Sequence, residues 1–179
     1  MRQRTGQHIG IYSGTFDPIH VGHITFALEA LRLCQLDKVV FLPEPQPREK
    51  SSVTDITKRI TAIQKAITDH EGLAVLAPES SQFTTNDTLP RLHELFKDAD
   101  LTLLVGSDIV RTFAYRWQNL DVLLRDVTLA IGMRLGDEPA DIIAIIETLQ
   151  NKYNILVHYR LIQTTHSHVT SSHIRKSDN

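Results

Sequence analysis

The sequence predicts an α/β fold, a doubly wound parallel sheet, and three observations predict it. Short continuous apolar runs recur at residues 9–12, 38–42, 101–105 and 127–131. Stretches of helical periodicity separate them, and Gly or Pro marks the strand exits. A strand that is apolar at every position must be covered on both faces, and helices on both faces of a parallel sheet do that. Right-handed crossovers then wind the sheet both ways from a central strand.

The elements follow in order. After the strand at 9–12 comes a Gly/Pro loop, then a helix over 21–33 in which Ile24, Leu28 and Leu31 form one stripe. Pro43 ends the strand at 38–42, and Pro45 and Pro47 mark 44–52 as loop. A helix over 54–70 should bury Ile56, Ile60, Ile63 and Ile67, with Gly72 as its stop signal. A short strand at 73–76, a polar loop at 80–87 and a helix through Leu89, Leu92 and Phe96 come next. The strand at 101–105 ends at Gly106, 127–131 repeats the theme, a helix spans 140–150, and 155–159 reads as a last strand. No repeat, low-complexity tract or linker interrupts the pattern, so residues 1–179 read as one domain.

Composition narrows the function. The hydrophobic fraction of 41% and charged fraction of 22% are those of a soluble globular protein. A net charge of −2 disfavours a general nucleic-acid binder, because no basic face dominates. No run approaches the ~20 apolar residues of a membrane span. The one cysteine, Cys34, cannot form an internal disulfide and lies in an apolar run, so an inert thiol and a cytoplasmic setting are expected. The polar start MRQRTGQH lacks the apolar core of a secretory signal.

The informative stretch is Tyr12-Ser-Gly-Thr-Phe-Asp-Pro-Ile-His-Val-Gly-His23, between the first strand and the first helix. In a doubly wound sheet, ligands bind beyond the carboxyl ends of the strands. Gly14 permits close backbone approach, and Thr15 offers a hydroxyl and an N–H in one turn. His20 and His23, three apart, share a face at the helix start, and Gly22 leaves room beside them. Helix N-termini attract anions, and two imidazoles add donors whose charge can follow a phosphate. The pattern is neither a P-loop nor GxGxxG. The plainer reading is that the two histidines cap and pack. A zinc site is weak without a third ligand.

GTFDPIHVGH resembles the signature of the nucleotidylyltransferase superfamily, with its GTFDP and HxGH elements. Near the end, Val169-Thr-Ser-Ser-His-Ile-Arg175 resembles that superfamily's second signature. Taken alone, Thr170, Ser171 and Ser172 would be N-caps of an ordinary terminal helix, with Arg175 in its first turn. The resemblance covers nearly the whole chain and is greatest to the bacterial nicotinate-mononucleotide adenylyltransferases. It implies a Rossmann-like nucleotidylyltransferase fold. Pro43, Pro47 and Lys50 match that family's strand-two loop, which here lacks its second Pro and its His. Arg59, Thr85, the Gly106-Ser-Asp108 segment, Trp117 and Arg134 match further family positions in order. The chain ends four residues after Arg175, sooner than bacterial members usually do. The helix bearing Arg175 is then short, or is completed by a neighbouring subunit.

The resemblance implies transfer of AMP from ATP to nicotinate or nicotinamide mononucleotide, giving the dinucleotide and pyrophosphate in NAD biosynthesis. It places His20, His23 and Arg175 as catalytic residues. Ser13, Gly14, Thr15, Phe16, Gly22, Ser171 and Ser172 join them around ATP, and Lys50, Thr85, Asp108, Trp117 and Arg134 hold the acceptor. Mg²⁺ would bridge the phosphates, held mainly by water and phosphate oxygens. Asp17 is the carboxylate best placed to help, or else only braces the turn. Partners are ATP and a mononucleotide, without nucleic acid or membrane; a homo-oligomer is compatible with the sequence. Two alternatives stay open: adenylyl or cytidylyl transfer to another phosphorylated acceptor, and a nucleotide-binding homologue without turnover. His166, His168 and His173 form a second group, which reads as exposed loop histidines ahead of a metal site.

Overall fold

Strand residues alternate between two apolar layers, which explains runs that are apolar at nearly every position. Leu101, Leu103 and Val105 join one cluster, while Leu104 joins the other. Val40 and Leu42 likewise face one layer, and Val39 and Phe41 the opposite one. This is a computed structural model, and it describes residues 6–46 and 52–163.

The elements are β1 (His8–Gly14), α1 (Val21–Leu33), β2 (Lys38–Pro43), α2 (Ile56–Ile67) and β3 (Leu73–Val75). After these come α3 (Thr88–Leu95), β4 (Asp100–Gly106), α4 (Ser107–Val110), α5 (Phe113–Arg116) and α6 (Leu120–Asp126). The described part closes with β5 (Thr128–Met133), α7 (Pro139–Tyr153) and β6 (Tyr159–Gln163). All neighbouring strands pair parallel in the order β3-β2-β1-β4-β5-β6. The winding direction reverses between β1 and β4, so a crevice opens beyond their carboxyl ends.

Ile24, Phe26, Ala27 and Ala30 of α1, with Ile63 and Ile67 of α2, pack on one face of the sheet. Leu89 and Leu92 of α3, Leu120, Leu123 and Leu124 of α6, and Ile142, Ile146 and Leu149 of α7 pack on the other. The expected doubly wound sheet is present. No helix among the described residues is long and apolar enough to cross a membrane.

Two local expectations are corrected, and one stretch without an expectation proves helical. The last strand is Tyr159–Gln163, not 155–159. Asn154, in the left-handed conformation at φ 50°, ends α7, and Ile155 N–H donates back to Gln150 O at 3.1 Å. Ile155 and Val157 therefore pack against the core as a return loop, and pairing with β5 begins at Tyr159. On α2 the buried face includes Arg59, whereas Ile56 and Ile60 are half-buried. Residues 107–126 fold into α4, α5 and α6, of four, four and seven residues, too short for a 3.6-residue period to declare itself.

Ile146 is fully enclosed on α7, away from the strands' carboxyl crevice. Ile146→Ala should cost about 2–5 kcal/mol through lost burial and the cavity left behind. Urea unfolding should show a lower midpoint at unchanged slope, and a loss below ~1 kcal/mol would contradict this packing.

Candidate active site

The first strand-to-helix loop is shaped by an aromatic cluster beneath it. Tyr12 makes edge contacts with Phe16 and Phe26 at 5.1 and 5.3 Å, and Phe16 contacts Phe41 at 5.2 Å. Phe16 is held in the left-handed region at φ 48° and is 2% exposed. A Cβ on Gly14 would stand 3.2 Å from the Phe16 ring, so glycine lets that ring tuck under the strand exit.

His20 is the N-cap of α1, with extended backbone at φ −146°, and its carbonyl accepts from His23 N–H at 3.0 Å. His20 N–H in turn donates to His23 Nδ1 at 3.2 Å. That bond makes Nδ1 an acceptor, so neutral His23 carries its proton on Nε2. The two rings stack with centroids 3.7 Å apart, and Phe16 supports His23 edge-on at 5.1 Å. His20 Nδ1 is buried with no hydrogen-bond partner among the described residues. Burial first, and the Arg134 charge second, lower the His20 pKa from 6.5 to about 4. At neutral pH the free site thus holds an uncharged imidazole with an unused nitrogen.

Arg59 locks the loop from below. At 2% exposure its Nε donates to Thr54 O at 2.7 Å, and Nη1 donates to Thr15 O at 2.8 Å and Glu44 O at 2.9 Å. Nη2 reaches Pro45 O at 3.1 Å. Asp17, also buried, accepts from Thr54 N–H at 3.0 Å. Its carboxylate is thus spent on bracing the turn. Among the described residues no three His, Cys, Asp or Glu side chains cluster to hold a metal. A cation carried by substrate phosphates and water is compatible with these residues.

Beyond β4 and β5 stands a second polar group. Arg134 Nη2 donates to Asp108 Oδ2 at 2.8 Å. A Cβ on Gly106 would lie 2.3 Å from Asp108 Oδ1, so only glycine admits the carboxylate there. Arg134 and Asp108 both act on the buried Tyr12 hydroxyl, whose pKa is raised chiefly by burial. Asp137 accepts from the Ser107 hydroxyl, from Arg134 N–H at 2.7 Å and from Arg111 Nη2 at 2.9 Å.

The segment carrying Thr85 meets the loop that follows Trp117. Thr85 Oγ1 donates to Gln118 O at 3.3 Å, and Asn119 Nδ2 donates to Asn86 Oδ1 at 2.6 Å. Trp117 packs edge-on against Phe113 at 5.2 Å and donates to Thr112 Oγ1 at 3.3 Å. A cavity of about 340 Å³ lies behind Phe83, between α3 and the ends of β2 and β3. None of His20, His23, Asp108, Trp117 or Arg134 lines it, so it is not where the imidazoles act.

The structure brings Gly14, Thr15, Gly22, His20 and His23 together, and pairs Thr85 with the Trp117 loop and Asp108 with Arg134. Two residues expected around ATP have side chains engaged within the protein. Ser13 lies on the opposite face of β1 from Tyr12, and its hydroxyl donates to Glu44 Oε1 at 3.1 Å. The Phe16 side chain is core, leaving only its backbone to face a ligand. Lys50, Ser171, Ser172 and Arg175 lie outside the described residues, as do His166, His168 and His173. Sequence reasoning missed Asp137 and Tyr12. The Gly136-Asp137 turn following β5 was the one available signal for the former.

Residues 11–177 match the family model described as cytidylyltransferase-like. The chain belongs to the cytidylyltransferase-like family of nucleotidylyltransferases. A probable nicotinate-nucleotide adenylyltransferase of Clostridium botulinum is 32% identical over 174 residues, covering 95% of this chain and 85% of the relative. One from Clostridium perfringens is 32% identical over 151 residues, covering 81% and 74%. Among solved structures, the Plasmodium falciparum nicotinic acid mononucleotide adenylyltransferase complexed with NaAD superposes with a TM-score of 0.75 at 20% identity. That match covers 95% of this chain and 83% of the other, and it shares the fold of this cytidylyltransferase-like chain.

The shifted His20 has a thermodynamic consequence. The unfolded ring takes a proton near pH 6.5, whereas the folded ring resists until about pH 4. Between those values the unfolded chain binds more protons, so stability falls as pH drops through the window. His20→Gln should therefore lose less urea resistance than wild type between pH 7 and pH 5. Equal losses would show that the ring is not held neutral.

Proposed function

We propose that this chain transfers the adenylyl group of ATP to nicotinate mononucleotide, forming the dinucleotide and releasing pyrophosphate in NAD biosynthesis. The family relatives support the reaction class. The observation that carries the reading is the stacked His20/His23 pair at the N-terminus of α1, beside the crevice between β1 and β4.

An acceptor phosphate oxygen attacks the α-phosphorus in line, and the bond to the bridging oxygen of pyrophosphate breaks. The attacker is already an anion, so no protein nucleophile or general base is needed. Positioning and charge stabilisation supply the rate. Thr15 and the free N–H groups of α1 face the triphosphate. A phosphate oxygen brought to His20 favours the protonated ring and opposes the burial effect, so the imidazole gains charge where the transition state needs it. His23, its tautomer set by His20 N–H, presents Nε2–H.

Arg175, with Ser171 and Ser172, is assigned to the leaving pyrophosphate, and Lys50 to the acceptor phosphate, on the family pattern. Thr85 and Trp117 border the pyridine ring. The resemblance implies Asp108 and Arg134 at the acceptor; because the Arg134 charge reaches His20 and Arg134 pairs with Asp108, we assign the pair instead to ATP at its junction with the acceptor. Mg²⁺, bound through phosphate oxygens, would neutralise polyphosphate charge. One cysteine and no call for a disulfide fit a cytoplasmic enzyme.

Pyrophosphate release should be measured with ATP and a panel of nicotinate mononucleotide, nicotinamide mononucleotide, phosphopantetheine and an alcohol phosphate. The expected preference is nicotinate mononucleotide; release with no mononucleotide overturns the reading. His20→Ala should slow turnover by about 10²–10³-fold, the usual effect of losing one transition-state donor, without lowering the thermal midpoint.

A further inference from the structure

We propose that Asp137 is a positioning residue: its one carboxylate ties the turn after β5 to the start of α4 and so fixes the Asp108–Arg134 pair beside His20 for ATP. This rests on the assignment of that pair to the ATP side of the site.

Among the described residues the tip of the turn has no apolar anchor. Leu135 at its tip is 79% exposed, and a Cβ added at Gly136 would meet nothing within 4 Å. Apolar packing therefore cannot hold it. Gly136 adopts φ 85°, and Asp137 N–H closes the turn on Arg134 O at 3.1 Å. The Asp137 side chain folds back on the same turn, Oδ2 accepting Arg134 N–H at 2.7 Å. That oxygen also accepts the hydroxyl of Ser107, which is 1% exposed and immediately precedes Asp108. Oδ1 takes Arg111 Nη2 at 2.9 Å.

One carboxylate thus fixes the backbone at 134 and the residue beside 108, the two positions whose side chains pair at 2.8 Å. Burial works against its charge, but the bonds from Ser107, Arg134 N–H and Arg111 together hold the carboxyl below its usual range. It stays ionised at neutral pH. Without it, the enclosed Ser107 hydroxyl and Arg134 N–H lose their acceptor, and the exposed turn is free to carry the guanidinium away from His20.

The test is a double-mutant cycle read by calorimetric ATP affinity, which needs no turnover. Arg134→Ala and Asp137→Ala should each weaken ATP binding about tenfold, and the double variant also only about tenfold, because both remove one interaction. Asp137→Asn keeps one accepting oxygen and should fall between, at roughly two- to fivefold. It carries the test if the alanine variant melts below the assay temperature. Wild-type ATP affinity in the Asp137 variants, or multiplication of the two effects to about a hundredfold, overturns the proposal. So does unchanged affinity in Arg134→Ala. If the cycle behaves as expected while no acceptor yields pyrophosphate, the tether stands and the transferase reading fails.

Discussion

Arg59 carries a full charge at 2% exposure, tolerable because backbone carbonyls of Thr54, Thr15, Glu44 and Pro45 surround it and the Asp17 and Asp55 carboxylates offset its burial. Hydrogen bonds to a charged group contribute about 1.5–3 kcal/mol each, set against a desolvation cost of several kcal/mol. The balance holds only with every bond in place. The guanidinium therefore dictates three backbone segments at once: the exit of β1, the exit of β2 and the approach to α2. The turn that delivers His20 to the head of α1 is built on that constraint.

How much of this was legible follows from period and proximity in sequence. The α1 helix has thirteen residues with clear periodicity and was read at its observed bounds. The loop before it is contiguous, so its meaning did not depend on knowing the fold. Arg59 is different. Its position matched a family pattern, but nothing in the sequence shows that it bonds to Thr15, 44 positions away. Ser13 rests on the resemblance alone, which does not show that its hydroxyl is engaged by Glu44. The return loop at 155–158 misled because apolar residues that pack on the core after a helix look like a strand.

The crevice has two sides. Near α3, the segment carrying Thr85 is knit to the α5–α6 connection through Gln118 and Asn119, which gives Trp117 a rigid frame. Near β5, the Asp108–Arg134 pair is held by polar bonds around an otherwise open turn. The first arrangement suits recognition of a flat ring by shape. The second suits a charged partner that must be met with fixed geometry but need not be enclosed.

These charges are stored in masked form. Arg134 is neutralised by Asp108, and His20 is held uncharged by burial and by the same Arg134. Bare cations crowded at the head of α1 would repel one another and the positive end of the helix dipole. Pairing one and deprotonating the other removes that repulsion from the empty site. On the proposed reading, a polyphosphate would reverse both conditions, competing with Asp108 for the guanidinium and drawing a proton onto His20. The site's positive charge would then develop as the anion enters.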